Sequence, residues 1–205
     1  MSLPPPIERT PALDRWLAFN EDGSVTVLTG KVELGQGIKT ALAMIAAEEL
    51  DVSFGRIRVQ TADTELTPNE FVTAGSMSVE DSGSAVRTAS ATARAYLLTL
   101  AAEVLRVSPT TLSVEDGTIS SSEANEQTDY WSLQGGHPFG ITIREPPALK
   151  NPHAYALVGT RQRRLDVPDK VQGNVAFVHD MTLPHMRYGR LVKPPVPGAR
   201  LVDAP

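Results

Sequence analysis

Two short runs of glycine and small polar residues carry the chemistry this sequence can offer. The first is Gly30-Lys31-Val32-Glu33-Leu34-Gly35-Gln36-Gly37, set directly before an apolar run with helical spacing. Glycines there let the backbone approach a ligand closely, and the start of a helix offers N–H groups and a partial positive charge. Gln36 adds an amide that donates and accepts at once, which suits the edge of a heterocycle. Gly30 and Gly35 also have the spacing of a nucleotide phosphate loop. However, Gln36-Gly37 stands where that loop needs lysine followed by serine or threonine, and Lys39-Thr40 comes too late in the chain. A glycine-rich helix start that binds nothing is a reading the motif alone leaves open. The second run is Thr73-Ala74-Gly75-Ser76-Met77-Ser78. Its small residues and hydroxyls suit an anion nest. Ser76 or Ser78 equally suits a helix cap, with Glu80 and Asp81 favourable in the first turn. Both readings can hold together.

Other chemistries find no residues. His137, His153, His179 and His185 show no spacing for a shared metal, so no metal ligand and no catalytic residue is assigned to them. No G-x-S-x-G nucleophile elbow is present. The absence of cysteine in the 205 residues excludes disulfides, Cys-ligated zinc and iron–sulfur clusters held by this chain. A net charge of -5 and an aromatic fraction of 5% argue against a nucleic-acid partner. No apolar run reaches the length of a membrane span, and Met1 to Thr10 has neither a hydrophobic core nor a twin arginine, so a cytoplasmic location is expected.

The elements that must position these runs follow from periodicity. Residues 1–13 read as a flexible lead-in. Trp16–Phe19 and Val25–Leu28 flank the turn Asn20-Glu21-Asp22-Gly23 as a hairpin. Ile38, Leu42, Ile45, Ala46 and Leu50 form one helix face, ended by Asp51 and Gly55, with Glu48 and Glu49 expected in solvent at its end. Arg56–Gln60 alternates as a half-buried strand. A long helix then carries the stripe Val86, Ala89, Ala93, Leu97, Leu100 and Val104, its alanines suited to close packing. This is an α+β unit, residues 14–121. It includes a second hairpin over Leu112–Ile119, while Ser120–Asp129 is polar and expected to be exposed. Residues 122–157 read as a linker holding one strand, Ile141–Ile143, and 158–205 as a separate segment ending in strand-like Arg190-Leu191-Val192.

The order of these motifs resembles the molybdopterin-binding subunits of the xanthine dehydrogenase/aldehyde oxidase family. The resemblance is to the branch of isoquinoline 1-oxidoreductase β-subunits and nicotinate dehydrogenase large subunits. It rests on Thr29–Gly37 followed by a helix ending Ala46-Ala47-Glu48-Glu49-Leu50, and on Thr73–Gly83. In the last third it rests on Val158-Gly159-Thr160, Arg164-Leu165-Asp166, Lys170-Val171-Gln172-Gly173, His179-Asp180 and Leu191–Pro195. The resemblance implies a molybdopterin-binding α/β layer unit followed by the start of an α/β hammerhead domain. The cofactor implied is molybdopterin with molybdenum, in some members extended as the cytosine dinucleotide. The implied contacts are Gly35, Gln36, Gly37, Gly75, Ser76, Met77 and Ser78. The implied reaction inserts water-derived oxygen into a C–H bond of an N-heterocycle or aldehyde. Electrons leave through a [2Fe-2S] small subunit, with a cytochrome c as a further acceptor, which fits a chain without cysteine. The family's general base lies in a Gly-Glu motif, and these residues contain no Gly-Glu pair. The chain therefore reads as part of a subunit, completed by the rest of it or by a second chain, and inactive alone. Val175–Val192 would then expose hammerhead sheet edges. A family-derived scaffold without cofactor is the alternative.

Overall fold

The computed structural model describes residues 2–175 and 177–203. A short helix, α1 (Pro5–Arg9), precedes strands β1 (Leu17–Phe19) and β2 (Val25–Thr29), which pair antiparallel with Leu17 opposite Val27. Asp22 closes their turn: its Oδ1 accepts from the Ser24 N–H and hydroxyl. Val25, Val27 and Thr29 point inward along β2, as a two-residue period requires. The chain then runs through helix α2 (Ile38–Leu50) to β3 (Ile57–Thr61), which lies parallel to β2 with Thr29 opposite Thr61. In a parallel pair the loops that follow the two strands leave from the same end of the sheet, where open α/β folds bind ligands. Here those loops are the two glycine-bearing runs.

A π-helical turn, Ser78–Gly83, leads without a break into α3 (Ser84–Leu105). The turn packs on α2. A Cβ at Gly83 would stand 3.1 Å from Ile45 Cδ1, so glycine permits this approach. Ala43, Ala46 and Ala47 of α2 and Ala85, Ala89 and Ala93 of α3 are all buried between the elements, which lets the two backbones come close. The buried stripe of α3 continues through Leu97 to Ala101 and Leu105, whereas Leu100 is half-buried and Val104 exposed. The contact follows the four-residue ridge instead of stepping back by three.

A second sheet has the antiparallel order β4 (Leu112–Glu115), β5 (Thr118–Ser121), β6 (Gln127–Asp129). Asp116 and Gly117 both take positive φ, 47° and 79°, in the tight turn between β4 and β5. The polar stretch Ser120–Asp129 is largely exposed, as expected, but it also holds a strand that was not foreseen: β6 is polar, so its pairing with β5 leaves no apolar alternation to read. Asp129 then caps helix α4 (Tyr130–Gln134) by accepting from the Trp131 and Ser132 N–H groups.

Two segments are more ordered than their composition suggests. In the supposed lead-in, Ile7 and Leu13 are fully buried and the Trp16 indole donates to Thr10 O at 2.8 Å. In the supposed linker, Tyr130, Phe139 and Ile143 join the same core, and the Tyr130 hydroxyl donates to Leu50 O. The strand expected at Ile141–Ile143 is a single antiparallel bridge, Ala12 to Thr142. Pro- and Gly-rich chain hides these few apolar anchors from periodicity.

The chain divides into residues 1–168, which hold all of the above, and 169–205. A helix, α5 (Val167–Gln172), runs across that division. The second unit carries one short 3-10 turn, Val178–Asp180, and no strand among its described residues. The strand-like Arg190-Leu191-Val192 has no regular structure and both apolar side chains are exposed; a strand needs a partner for its N–H and C=O groups. Ala176, Ala204 and Pro205, expected within the hammerhead segment, lie outside the described residues.

Candidate functional site

Both glycine-bearing runs emerge beyond the carboxyl ends of β2 and β3, and a polar zipper ties them. Thr29 Oγ1 and Gly30 N donate to Glu70 Oε2 at 2.6 and 2.8 Å. The Lys31 ammonium, fully buried, donates to Glu70 O at 2.8 Å and Val72 O at 3.1 Å. Val32 N donates to Thr73 Oγ1 at 2.9 Å. A Cβ at Gly30 would stand 2.4 Å from Pro68 O, so only glycine fits this crossing. The first run is thereby joined to the residue that opens the second.

The loop 33–37 is closed on itself. Glu33 Oε1 accepts from Gly35 N and Gly37 N, both at 2.9 Å, and its Oε2 from Lys39 N at 3.2 Å. Two of the N–H groups expected to be free for an anion at the start of α2, those of Gly37 and Lys39, are thus taken by a carboxylate of the same loop. Gln36 is exposed, but its amide spans the loop: Nε2 donates to Val32 O at 2.8 Å and Oε1 accepts from Leu34 N at 2.6 Å. The Arg164 guanidinium holds the outer edge, donating to Gly35 O at 2.8 Å and pairing with Asp166 and Glu33. Leu165 N donates to Thr40 Oγ1. Space beside Gly35 is open, with nothing within 4 Å of an added Cβ.

In the second run Gly75 and Ser76 take consecutive positive φ values of 66° and 60°. The N-terminal end of the long helical run Ser78–Leu105 follows at once. Left-handed geometry at a serine carries strain that a fold retains at positions with a job. Ser76 and Met77 are exposed and Ser78 is half-buried. Around the two runs lie Leu34, Phe71, Val72, Met77 and Val79, all exposed. So many large apolar side chains at one end of a sheet mark a surface made to be covered.

Farther along α2, Glu48 and Glu49 correct the expectation of solvated carboxylates: both are buried. Glu48 accepts from the consecutive N–H groups of Ala156, Leu157 and Val158 and from the Lys150 ammonium at 2.7 Å. Glu49 binds Arg87 Nε at 2.6 Å and Lys150 N at 3.0 Å. Burial pushes the Glu48 carboxyl up, but the Lys150 ammonium and the three N–H groups outweigh it and bring it down to about 2. The structure thus gives bonding roles to Lys31, Glu33, Glu48, Thr73 and Arg164, which lie inside the quoted motifs, and adds Glu70 and Lys150, which no motif marks. Among the described residues no three His, Asp or Glu side chains gather where they could hold a metal ion. No helix among them is long and apolar enough to cross a membrane.

Residues 6–161 match the family model described as molybdopterin cofactor-binding domain. The chain belongs to that family. It is 40% identical to a nicotinate dehydrogenase subunit from Pseudomonas putida over 89% of its own length and 15% of that protein's. It is 28% identical to the isoquinoline 1-oxidoreductase β-subunit of Brevundimonas diminuta, over 89% of this chain and 28% of that one. The chain therefore spans less than a third of the length of these relatives. Among solved structures, CO dehydrogenase from Oligotropha carboxidovorans superposes with a TM-score of 0.52 at 25% identity, covering 57% of this chain and 15% of that one.

Proposed function

We propose that this chain supplies part of the molybdopterin surface of a molybdenum-dependent hydroxylase that oxidises an N-heterocycle or an aldehyde with water-derived oxygen. One observation carries the proposal: the two glycine-bearing runs leave the carboxyl ends of adjacent parallel strands and are tied by Val32 and Thr73. The contacts assigned are Gly35, Gln36, Gly37, Gly75, Ser76, Met77 and Ser78. Open space beside Gly35 and the exposed Met77 suit a flat heterocycle. The Ser76 and Ser78 hydroxyls and the helix start behind them suit the cofactor's anionic part, because Glu33 already fills the start of α2. When bound, the molybdenum cofactor supplies the oxygen-transfer and electron-accepting chemistry. This chain's residues bind and orient it, and no general base is assigned among them. The cytosine dinucleotide form, a [2Fe-2S] small subunit, a cytochrome c acceptor and a hammerhead beginning in residues 158–205 belong to the same proposal.

The test is the molybdenum and pterin content of the protein purified with its partner chains. Gln36→Ala and the double variant Ser76→Ala/Ser78→Ala are expected to lose most of both. Unchanged content would remove these residues from the site. A second reading, a scaffold without cofactor, is favoured by the way Gln36 and the N–H groups at the α2 start are satisfied within their own loop. Absence of molybdenum and pterin from the intact native complex would establish it.

A further inference from the structure

Gln36 stands between two glycines with left-handed backbones, Gly35 at φ 105° and Gly37 at φ 83°. Such residues turn freely, so their own sterics do not fix the peptide planes on either side of Gln36. Packing does not fix them at Gly35 either, because nothing lies within 4 Å of an added Cβ there. The planes are held by hydrogen bonds. Glu33 takes the N–H groups of Gly35 and Gly37 from within the loop. The Gly35 carbonyl shares one planar peptide with the Gln36 N–H. It accepts from Arg164 Nη1 at 2.8 Å, 129 residues away in sequence. Apart from the bonds of Arg164, the hydrogen bonds of residues 33–37 stay within residues 32–41 among the described residues. The guanidinium is itself fixed before it reaches the loop. Asp166, buried, takes Nε and Nη2 as a fork at 3.0 and 2.8 Å. The Leu165 N–H between them donates to the buried Thr40 hydroxyl of α2 at 3.0 Å. The Gln36 amide that this arrangement presents is only half used. Of its two N–H donors and two lone-pair directions, one of each goes to Val32 O and Leu34 N. One N–H and one lone pair of an exposed side chain remain for a ligand.

We infer that Arg164 is a positioning residue for Gln36. It acts through the Gly35–Gln36 peptide: by holding that plane, it sets the direction in which the unused half of the amide points. Fixing such a group in advance spares the ligand the cost of ordering the loop. The ligand at that amide rests on the molybdopterin reading above, while the hold on the loop rests on the bonds of Arg164 alone.

The experiment has two measurements. The first is NMR of the 205-residue chain without cofactor, reading the Gln36 side-chain NH2 signals. In Arg164→Ala these are expected to collapse toward the positions of free glutamine. Guanidinium chloride, well below denaturing concentrations, is expected to restore them by refilling the fork on Asp166. Arg94→Ala removes an ion pair of similar exposure, 36% against 38% at the arginine, from the other end of α2. It is expected to leave the Gln36 signals unchanged. Arg164→Lys keeps a cation between Glu33 and Asp166 and is expected to fold even if the alanine variant does not. Lysine cannot fork onto Asp166 and reach Gly35 O together, so it is expected to shift the same signals. The second measurement is release of pterin from the protein purified with its partner chains, followed by the fluorescence of the freed pterin. Arg164→Ala is expected to release it roughly tenfold faster or more. Parent-like Gln36 signals in either Arg164 variant, or an equal shift in Arg94→Ala, would overturn the inference. So would pterin lost from Gln36→Ala but held at the parent rate by Arg164→Ala, a result that leaves the cofactor reading standing. Shifted Gln36 signals in a protein whose native complex holds no pterin would uphold the role of Arg164 in the loop and reject the cofactor reading.

Discussion

The carboxylate of Glu33 accepts from the N–H groups of Gly35, Gly37 and Lys39, and with them fixes the shape of the loop that presents Gln36. Truncating it leaves those donors to solvent. Glu33→Ala is therefore expected to lower stability by about 1 kcal/mol, read as a fall in Tm, with the loop residues 33–37 exchanging their amide hydrogens faster. At Gly30 the constraint is steric. A methyl group would press on Pro68 O, so Gly30→Ala is expected to cost roughly 1–3 kcal/mol in denaturant unfolding; an unchanged midpoint would show that the crossing is looser than described. Gln36 stood out as a candidate in the sequence because glycines flank it before a helical period. Its own bonds were not, because a side chain folding back onto Val32 and Leu34 leaves no mark in spacing. Glu70 and Lys31 were illegible for a related reason: their partners lie about forty residues away, across a parallel pair whose register no local pattern encodes.

At the scale of elements, two buried polar clusters hold chain that has no regular structure. Lys31 fastens residues 70–72 to the first glycine run. Lys31→Met removes the ammonium but keeps the length, and is expected to speed amide exchange across residues 70–78 while α3 stays protected; equal protection in both would contradict the zipper. Glu48 fastens residues 156–158 to the end of α2. Its carboxyl is held at about 2, below its usual 4.5, so its stabilisation is full above about pH 4.5 and is lost as the pH falls toward 2. Glu48→Ala, which leaves Lys150 with Asp51 alone, is expected to cost about 3 kcal/mol at neutral pH and to flatten the acid limb of the stability curve between pH 4.5 and 2. A variant with the same acid limb as the parent would show that other carboxylates set it. Helices α2 and α3 and the two hairpins were readable from periodicity, since each buries one face. β6, α1 and α4 were not, because single side chains such as Ile7 and Tyr130 anchor them and no repeating pattern does.

At the scale of the whole molecule, residues 2–168 own the core, and residues 169–203 expose Val178, Leu183, Tyr188, Leu191, Val192 and Leu201. Apolar side chains displayed in that number call for a partner surface, either elsewhere in the same protein or on another chain. For the 205-residue chain alone, limited trypsin digestion is expected to cut first at Arg187, Arg190 or Arg200, leaving the first unit intact; a first cut inside residues 2–168 would contradict this division. The central claim is that the two runs at the carboxyl ends of β2 and β3 form one surface for molybdopterin. The most direct measurement is an experimental structure of the protein purified with its cofactor retained. Pterin density is expected within hydrogen-bonding distance of both the Gly35–Gly37 and the Gly75–Ser78 segments. A pterin bound elsewhere, touching neither segment, would contradict it.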